Sequence, residues 1–174
     1  TTLPDFLNSN KILKQIAGIA IKSNTEAYVV GGYVRDKLLG FDKTDIDISV
    51  IGDSIKFAEL TAKEFQTSLT AVYNKFGTAM LDIDGTKIEF VTARKESYRS
   101  NSRKPDVEPA DLKADLSRRD FTVNALAVSL NDGSNKIIDH FGGLEDLKDK
   151  ILRTPLDSET TFNDDPLRMM RACR

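Results

Sequence analysis

One cysteine, Cys173, and one histidine, His140, are all that 174 residues offer of two side chains much used in disulfides, zinc sites and base catalysis. A single cysteine excludes an internal disulfide and any multi-cysteine zinc site. His140 has no serine or cysteine nucleophile pattern around it, so its reading is structural rather than general base. Long apolar runs are missing as well. Stretches such as Ile19 to Ile21 and Leu126 to Val128 fall far short of a membrane span. The opening Thr1-Thr2-Leu3-Pro4-Asp5 has neither the basic start nor the apolar centre of a signal peptide, and the expected location is cytoplasmic. Charge of one sign is lacking too: 25 Lys and Arg stand against 27 Asp and Glu, a net charge of −2. That excludes a polycation that coats nucleic acid. What remains is 40% hydrophobic and 30% charged residues, an ordinary soluble composition with enough length for one domain and a core.

Patterning divides the chain into alternating helix and strand signals. Leu7, Ile12, Ile16, Ile19 and Ala20 recur at helical spacing over the first ~20 residues. Ala27 to Val30 is a short β-run ending at Gly31-Gly32. Tyr33 to Leu39 reads as a helix stopped by Gly40. Ile46 to Ile51 reads as a strand, and Asp53 or Ser54 can cap a helix carrying Ile55, Ala58, Ala62 and Phe65. Strand-like runs follow at Leu69 to Tyr73, Thr78 to Ile83 and Lys87 to Thr92, the last two joined by an Asp84-Gly85 turn. The stretch from Arg94 to Pro109 has no periodicity and predicts a mobile surface loop. Its basic residues Arg94, Lys95, Arg99, Arg103 and Lys104 read either as a solvated loop or as a phosphate contact. Helix and strand signals resume at Leu112 to Ala127 and Lys136 to Ile138, then at Leu144 to Lys150. The residues from about Asp164 look helical, with Met169, Met170 and Cys173 as packing residues.

Chemistry concentrates at Asp45-Ile46-Asp47. Strand side chains alternate, so the two carboxylates share one face while Ile46 and Ile48 face the core. They are either an exposed pair at a strand start or ligands for Mg²⁺, a hard ion that takes oxygen donors beside substrate phosphates. Upstream by 14 residues lies Gly31-Gly32, between a strand and a helix, where backbone N–H groups can approach an anion and Arg35 adds charge. An ordinary turn is the alternative. The sequence is neither a Walker A loop nor a dinucleotide-binding fingerprint. Glu89, acidic inside an apolar strand, faces either solvent or the other two acids. In the second case three carboxylates suit two-metal phosphoryl transfer. Arg119, Asp120 and Asn124 supply a cation, an acceptor and a mixed group within about 1.5 helical turns. Arg168, Arg171 and Arg174 lie three residues apart, on a face that binds phosphates or is simply solvated.

These residues together resemble a known family. Gly31-Gly32-x-x-Arg35-Asp36-x-Leu38-Leu39-Gly40 followed by Asp45-x-Asp47 is similar to the first signature of class II tRNA nucleotidyltransferases and bacterial poly(A) polymerases. Arg118 to Ala125 is similar to the second, Asp139 to Leu147 to the connecting segment, and Asp164 to Ala172 to the helix leading into the family's neck. The resemblance implies an α/β fold, the polymerase-β-like head with a mixed curved sheet flanked by helices. It implies a catalytic head over 1–155 and the start of a truncated helical neck over 156–174. It further implies transfer of NMP from CTP or ATP to a tRNA 3′ end. Asp45, Asp47 and Glu89 would be catalytic, with Mg²⁺ on Asp45 and Asp47. Gly31, Gly32, Arg35, Arg119, Asp120, Asn124, Arg168 and Arg171 would hold the nucleotide, Asp120 taking the ribose 2′-OH. The family's base-selecting Glu-Asp-x-x-Arg motif is not found in these residues, so CCA addition, A-only addition and poly(A) synthesis stay open. A head that binds nucleotide without catalysis is the competing reading.

Overall fold

The computed structural model describes residues 1–42, 44–97 and 106–173, apart from the side chains at 96, 97, 106 and 107. In chain order its elements begin with α1 (Lys11–Lys22), β1 (Glu26–Val30), α2 (Gly32–Leu38), β2 (Asp45–Ile51) and α3 (Ser54–Glu64). Then come β3 (Ala71–Tyr73), β4 (Thr78–Ile83), β5 (Thr86–Thr92), β6 (Arg94–Ser97), β7 (Asp106–Pro109) and α4 (Leu112–Ser117). A 3₁₀ turn over Thr122–Asn124 leads to β8 (Leu126–Ser129), β9 (Ile137–Asp139), α5 (Gly143–Asp149), α6 (Ser158–Asp164) and α7 (Leu167–Ala172).

Seven strands form one sheet in the order β3-β4-β5-β2-β1-β8-β9. Among the described residues only β2 and β5 pair in parallel; the other pairs of the sheet are antiparallel. The β4–β5 hairpin turns through Asp84 and Gly85, both at positive φ, as the sequence predicts. One face of the sheet presents Val29, Ile46, Ile48, Leu81, Ile88 and Phe90 to the buried sides of α1 and α3. Phe57 of α3 meets Phe90 edge to face at 5.6 Å, a favoured aromatic geometry. Local caps agree with this packing: Asn10 accepts from Ile12 and Leu13 N–H to start α1, and Asp53 accepts from Lys56 N–H to start α3. The alternate residues Asp45, Asp47, Ser49 and Glu89 therefore fall on the opposite face, beside a smaller cluster of Val30, Leu112, Leu116, Ala125 and Ala127.

Three sequence expectations need correction. The first helix begins only at Lys11, because Asp5 takes a positive φ after Pro4 and residues 4–9 form turns. Arg94 to Pro109 is not irregular throughout, since β6 and β7 pair as a ladder that sets Lys95 opposite Glu108. With RKES on one strand and only Val107 and Pro109 apolar on the other, that ladder carries too little hydrophobic alternation to read. The remainder of the expected mobile loop, 98–105, lies outside the described residues. Finally, the helix expected from about Asp164 begins only at Leu167, and a separate helix, α6, ends at Asp164. Asp165 is extended (φ −145°, ψ 95°) because the ring of Pro166 disfavours the helical conformation at the residue before it. Among the described residues no helix is long and apolar enough to cross a membrane.

The start of α5 packs onto the turn at Thr122, where a Cβ on Gly143 would sit 2.2 Å from the Thr122 carbonyl oxygen. Gly143→Ala is therefore expected to cost about 1–3 kcal/mol by overpacking. Gly18→Ala in α1 meets open space and should stabilise by about 0.5–1 kcal/mol. Urea unfolding of both variants checks the pair.

Candidate active site

The parallel register of β2 and β5 sets Asp47 directly opposite Glu89. Glu89 therefore faces the acids and not solvent alone. Burial pushes the Asp47 carboxyl above its ordinary value, and Asp45 adds to this while Arg119 opposes it. Burial also pushes Glu89 up, with Asp47 adding to it and Arg94 and Arg119 opposing. Asp45 is exposed at the start of the strand. Asp47 and Glu89 line an open cavity of about 870 Å³ together with Gly32, Arg35, Arg94, Arg118, Arg119, Asp120 and Asn124.

Around these acids the arginines are held in place by other carboxylates. Arg35, expected to hold phosphate, donates from Nε to Asp36 Oδ1 at 2.8 Å and from Nη1 to Asn124 Oδ1 at 2.5 Å. Asn124 in turn donates to Asp120 Oδ1 at 2.9 Å, and the Phe121 N–H donates to the same oxygen. Asp120 is buried, and its second oxygen lies 3.7 Å from Arg171 Nη1. Arg171 also pairs with Asp165 at 2.9 Å. A side-chain network thus runs from α2 through the 3₁₀ turn to α7. Arg168 is buried and donates to the Thr161 carbonyl, fastening α7 to α6, although it reaches the cavity wall. Arg168 and Arg171 accordingly do not share a solvated face, and Arg174 lies outside the described residues.

Gly31 occupies φ 76°, ψ −138°, a region essentially reserved for glycine. A Cβ there would meet Arg119 Nη1 at 2.8 Å. The glycine is needed for the close approach of that guanidinium as well as for the turn.

Sequence reasoning passed over Asp115. This buried carboxylate binds Arg118 Nη2 at 2.7 Å and Arg119 Nη2 at 3.4 Å, and accepts from Ser49 Oγ at 3.1 Å and from the Arg94 N–H. Burial raises its pKa, but Arg119, Arg118 and the hydrogen bonds outweigh that and hold it below the usual carboxylate range. Its signal was an acid three and four residues before two arginines, at helical spacing. One other expectation fails. Met169, Met170 and Cys173 are exposed, because α7 buries Arg168 instead. His140 is exposed and outside the cavity, its ring set edge-on to Phe141.

A mixed sheet carrying acids on one face, with arginines across an open cavity, defines a nucleotidyltransferase-type α/β head. Residues 27–153 match the poly A polymerase head domain, and the chain belongs to that family. It is 47% identical over 149 residues to an A-adding tRNA nucleotidyltransferase of Aquifex aeolicus, covering 85% of this chain and 18% of the relative. It is 39% identical over 175 residues to a CCA-adding enzyme of Lactobacillus helveticus, covering 99% and 41%. A tRNA nucleotidyltransferase solved with a primer tRNA and an incoming ATP analog superposes with a TM-score of 0.77 at 43% identity, covering 90% of this chain and 43% of that one. The chain thus spans well under half the length of these relatives.

The raised Asp47 pKa makes a stability prediction. A carboxyl whose folded pKa is raised costs stability where it is ionised, and the cost disappears as pH falls through that raised value. Asp47→Asn should therefore raise the melting temperature of the metal-free protein at pH 7, by roughly 2–4 °C for each kcal/mol relieved. The gain should shrink toward pH 4. Melting curves across that range check both the sign and the trend.

Proposed function

We propose that this chain is the catalytic head of a tRNA nucleotidyltransferase that transfers NMP from CTP or ATP to an RNA 3′-hydroxyl. The observation that carries the reading is the Asp47–Glu89 juxtaposition on the floor of a cavity walled by arginines. Such a cavity suits a triphosphate approaching a metal-binding strand. Residues 1–155 make up the head and 156–174 begin a helical neck. The location that goes with this reading is cytoplasmic. A tRNA 3′ end is the acceptor, by similarity to relatives named for adding CCA or A to tRNA. The 47% identity to an A-adding enzyme favours A-only addition as the second reading.

The acids fit Mg²⁺. Asp47 and Glu89 repel each other in a desolvated setting, and a divalent cation would relieve both. Among the described residues no three His, Cys, Asp or Glu side chains already converge as a ligand set. Mg²⁺ does not need one, since it takes one or two carboxylates and completes its shell with water and substrate phosphate oxygens. Asp45 and Asp47 would hold it, with Glu89 beside them, and when bound it supplies charge neutralisation at the α-phosphorus. In the reaction the 3′-hydroxyl oxygen bonds to the α-phosphorus and gives up its proton to solvent, while the bond from the α-phosphorus to the bridging oxygen breaks and pyrophosphate leaves. Arg118 and Arg119 place positive charge along the path of the triphosphate. Asp120 keeps Oδ1 on Asn124 and offers Oδ2 to a ribose 2′-hydroxyl, while Asn124 also holds Arg35 at the mouth of the Gly31-Gly32 turn.

Asp45→Asn or Asp47→Asn in the full chain should abolish nucleotide addition with the fold retained. Near-normal turnover by a variant that remains folded would take the metal role from that residue. Asp120→Ala should narrow the preference for ATP over dATP, because a site built to bind a hydroxyl loses most when that hydroxyl is missing. The ratio of kcat/KM for the two nucleotides measures this, and an unchanged ratio would assign Asp120 to ordering the Arg35–Asn124 network alone.

A further inference from the structure

Arg119 stands between two sets of acids. Its ion pair is with Asp115, and among the described residues it makes none with Asp47 or Glu89. Its charge nevertheless reaches both, drawing each carboxyl down against the effect of burial. The guanidinium lies against Gly31, and among the described residues its buried Nε has no hydrogen-bond partner. A cation so placed can satisfy itself more fully by closing onto Asp47, where it would occupy the position of a metal ion. Against this, Asp115 is 1% exposed and anchored from three directions: Ser49 of β2, the Arg94 N–H and the Nε and Nη2 groups of Arg118. Ser49 lies two residues beyond Asp47 on the same face of the same strand, so the anchor is built on the strand that carries the acid.

We propose that Asp115 is a positioning residue that holds the Arg119 guanidinium beside Asp47 rather than on it, keeping the Asp45–Asp47 strand open to a divalent cation. The proposal rests on the metal reading above. A carboxylate that only stabilised α4 would lower the melting temperature and leave cation affinity unchanged. One that holds Arg119 back controls cation affinity, and does so only while Arg119 is present.

Mn²⁺ alone, titrated into the nucleotide-free full chain and followed by electron paramagnetic resonance, provides a readout independent of catalysis. Wild type against Asp47→Asn tests the metal reading: equal binding by the two overturns that reading. Given a loss in Asp47→Asn, Asp115→Asn should weaken Mn²⁺ binding about five- to tenfold, since charge pairing at this range shifts affinities by that order. In an Arg119→Ala background the same substitution should change binding less than twofold, the non-additivity expected of residues acting through one another. Unchanged affinity in Asp115→Asn overturns the proposal. So does an equal loss with and without Arg119, which would make Asp115 a simple long-range charge. If Asp115→Asn does not fold, Asp115→Glu and Asp115→Gln form a pair equal in size and different in charge. Glu should then bind Mn²⁺ several-fold more tightly than Gln, and equality between them overturns the proposal.

Discussion

Two carboxylates are brought side by side, out of bulk water, by the parallel pairing of β2 with β5. Backbone hydrogen bonding between β2 and β5 sets Asp47 opposite Glu89. The packing of Ile46, Ile48, Ile88 and Phe90 into the core enforces it, because a slip of either strand by one residue would turn its two apolar side chains outward and its acid inward. The hydrophobic face thus holds the like charges together against their repulsion. Everything else around the cavity answers that imbalance.

The answer takes the form of arginines restrained by carboxylates. Arg35 is held by Asp36 and Asn124, Arg118 and Arg119 by Asp115, and Arg171 by Asp165 with Asp120 near. Charges paired in this way keep a fixed direction and lose little on meeting a ligand, whereas a free guanidinium must give up side-chain freedom to bind. The restraint also limits where positive charge can go. Asp115 matters most here, since among the described residues it alone ties two arginines to the strand that carries the acids.

The network from Arg35 through Asn124 and Asp120 to Arg171 joins segments 136 residues apart, by the difference of their numbers. It runs through Asp120, the residue proposed to take the ribose hydroxyl. Sugar recognition and the setting of α7 against the head therefore share one buried carboxylate. Arg168 supports the same junction through the Thr161 carbonyl.

Much of this was legible in the order of residues. Alternation placed Asp45 and Asp47 on one face with Ile46 and Ile48 on the other, and Asp84-Gly85 announced the β4–β5 hairpin. Both depend only on backbone period and local φ preference, which neighbouring residues determine. The resemblance carried by Gly31-Gly32, Asp45-x-Asp47 and Arg118 to Ala125 led to the family. Which of two open alternatives applied to Glu89 was not legible, because strand partners far apart in sequence are chosen by the packing of the whole sheet. Nor was the fate of the arginines. Charged residues read as solvated or ligand-binding until burial decides, and burial comes from elements brought together in space: α4 against β2 for Arg119, α6 against α7 for Arg168. The sequence by itself determined the elements and the acids they display. Only the tertiary structure decided which cations are spoken for, since a buried carboxylate such as Asp115 selects its partners by distance and not by position in the chain.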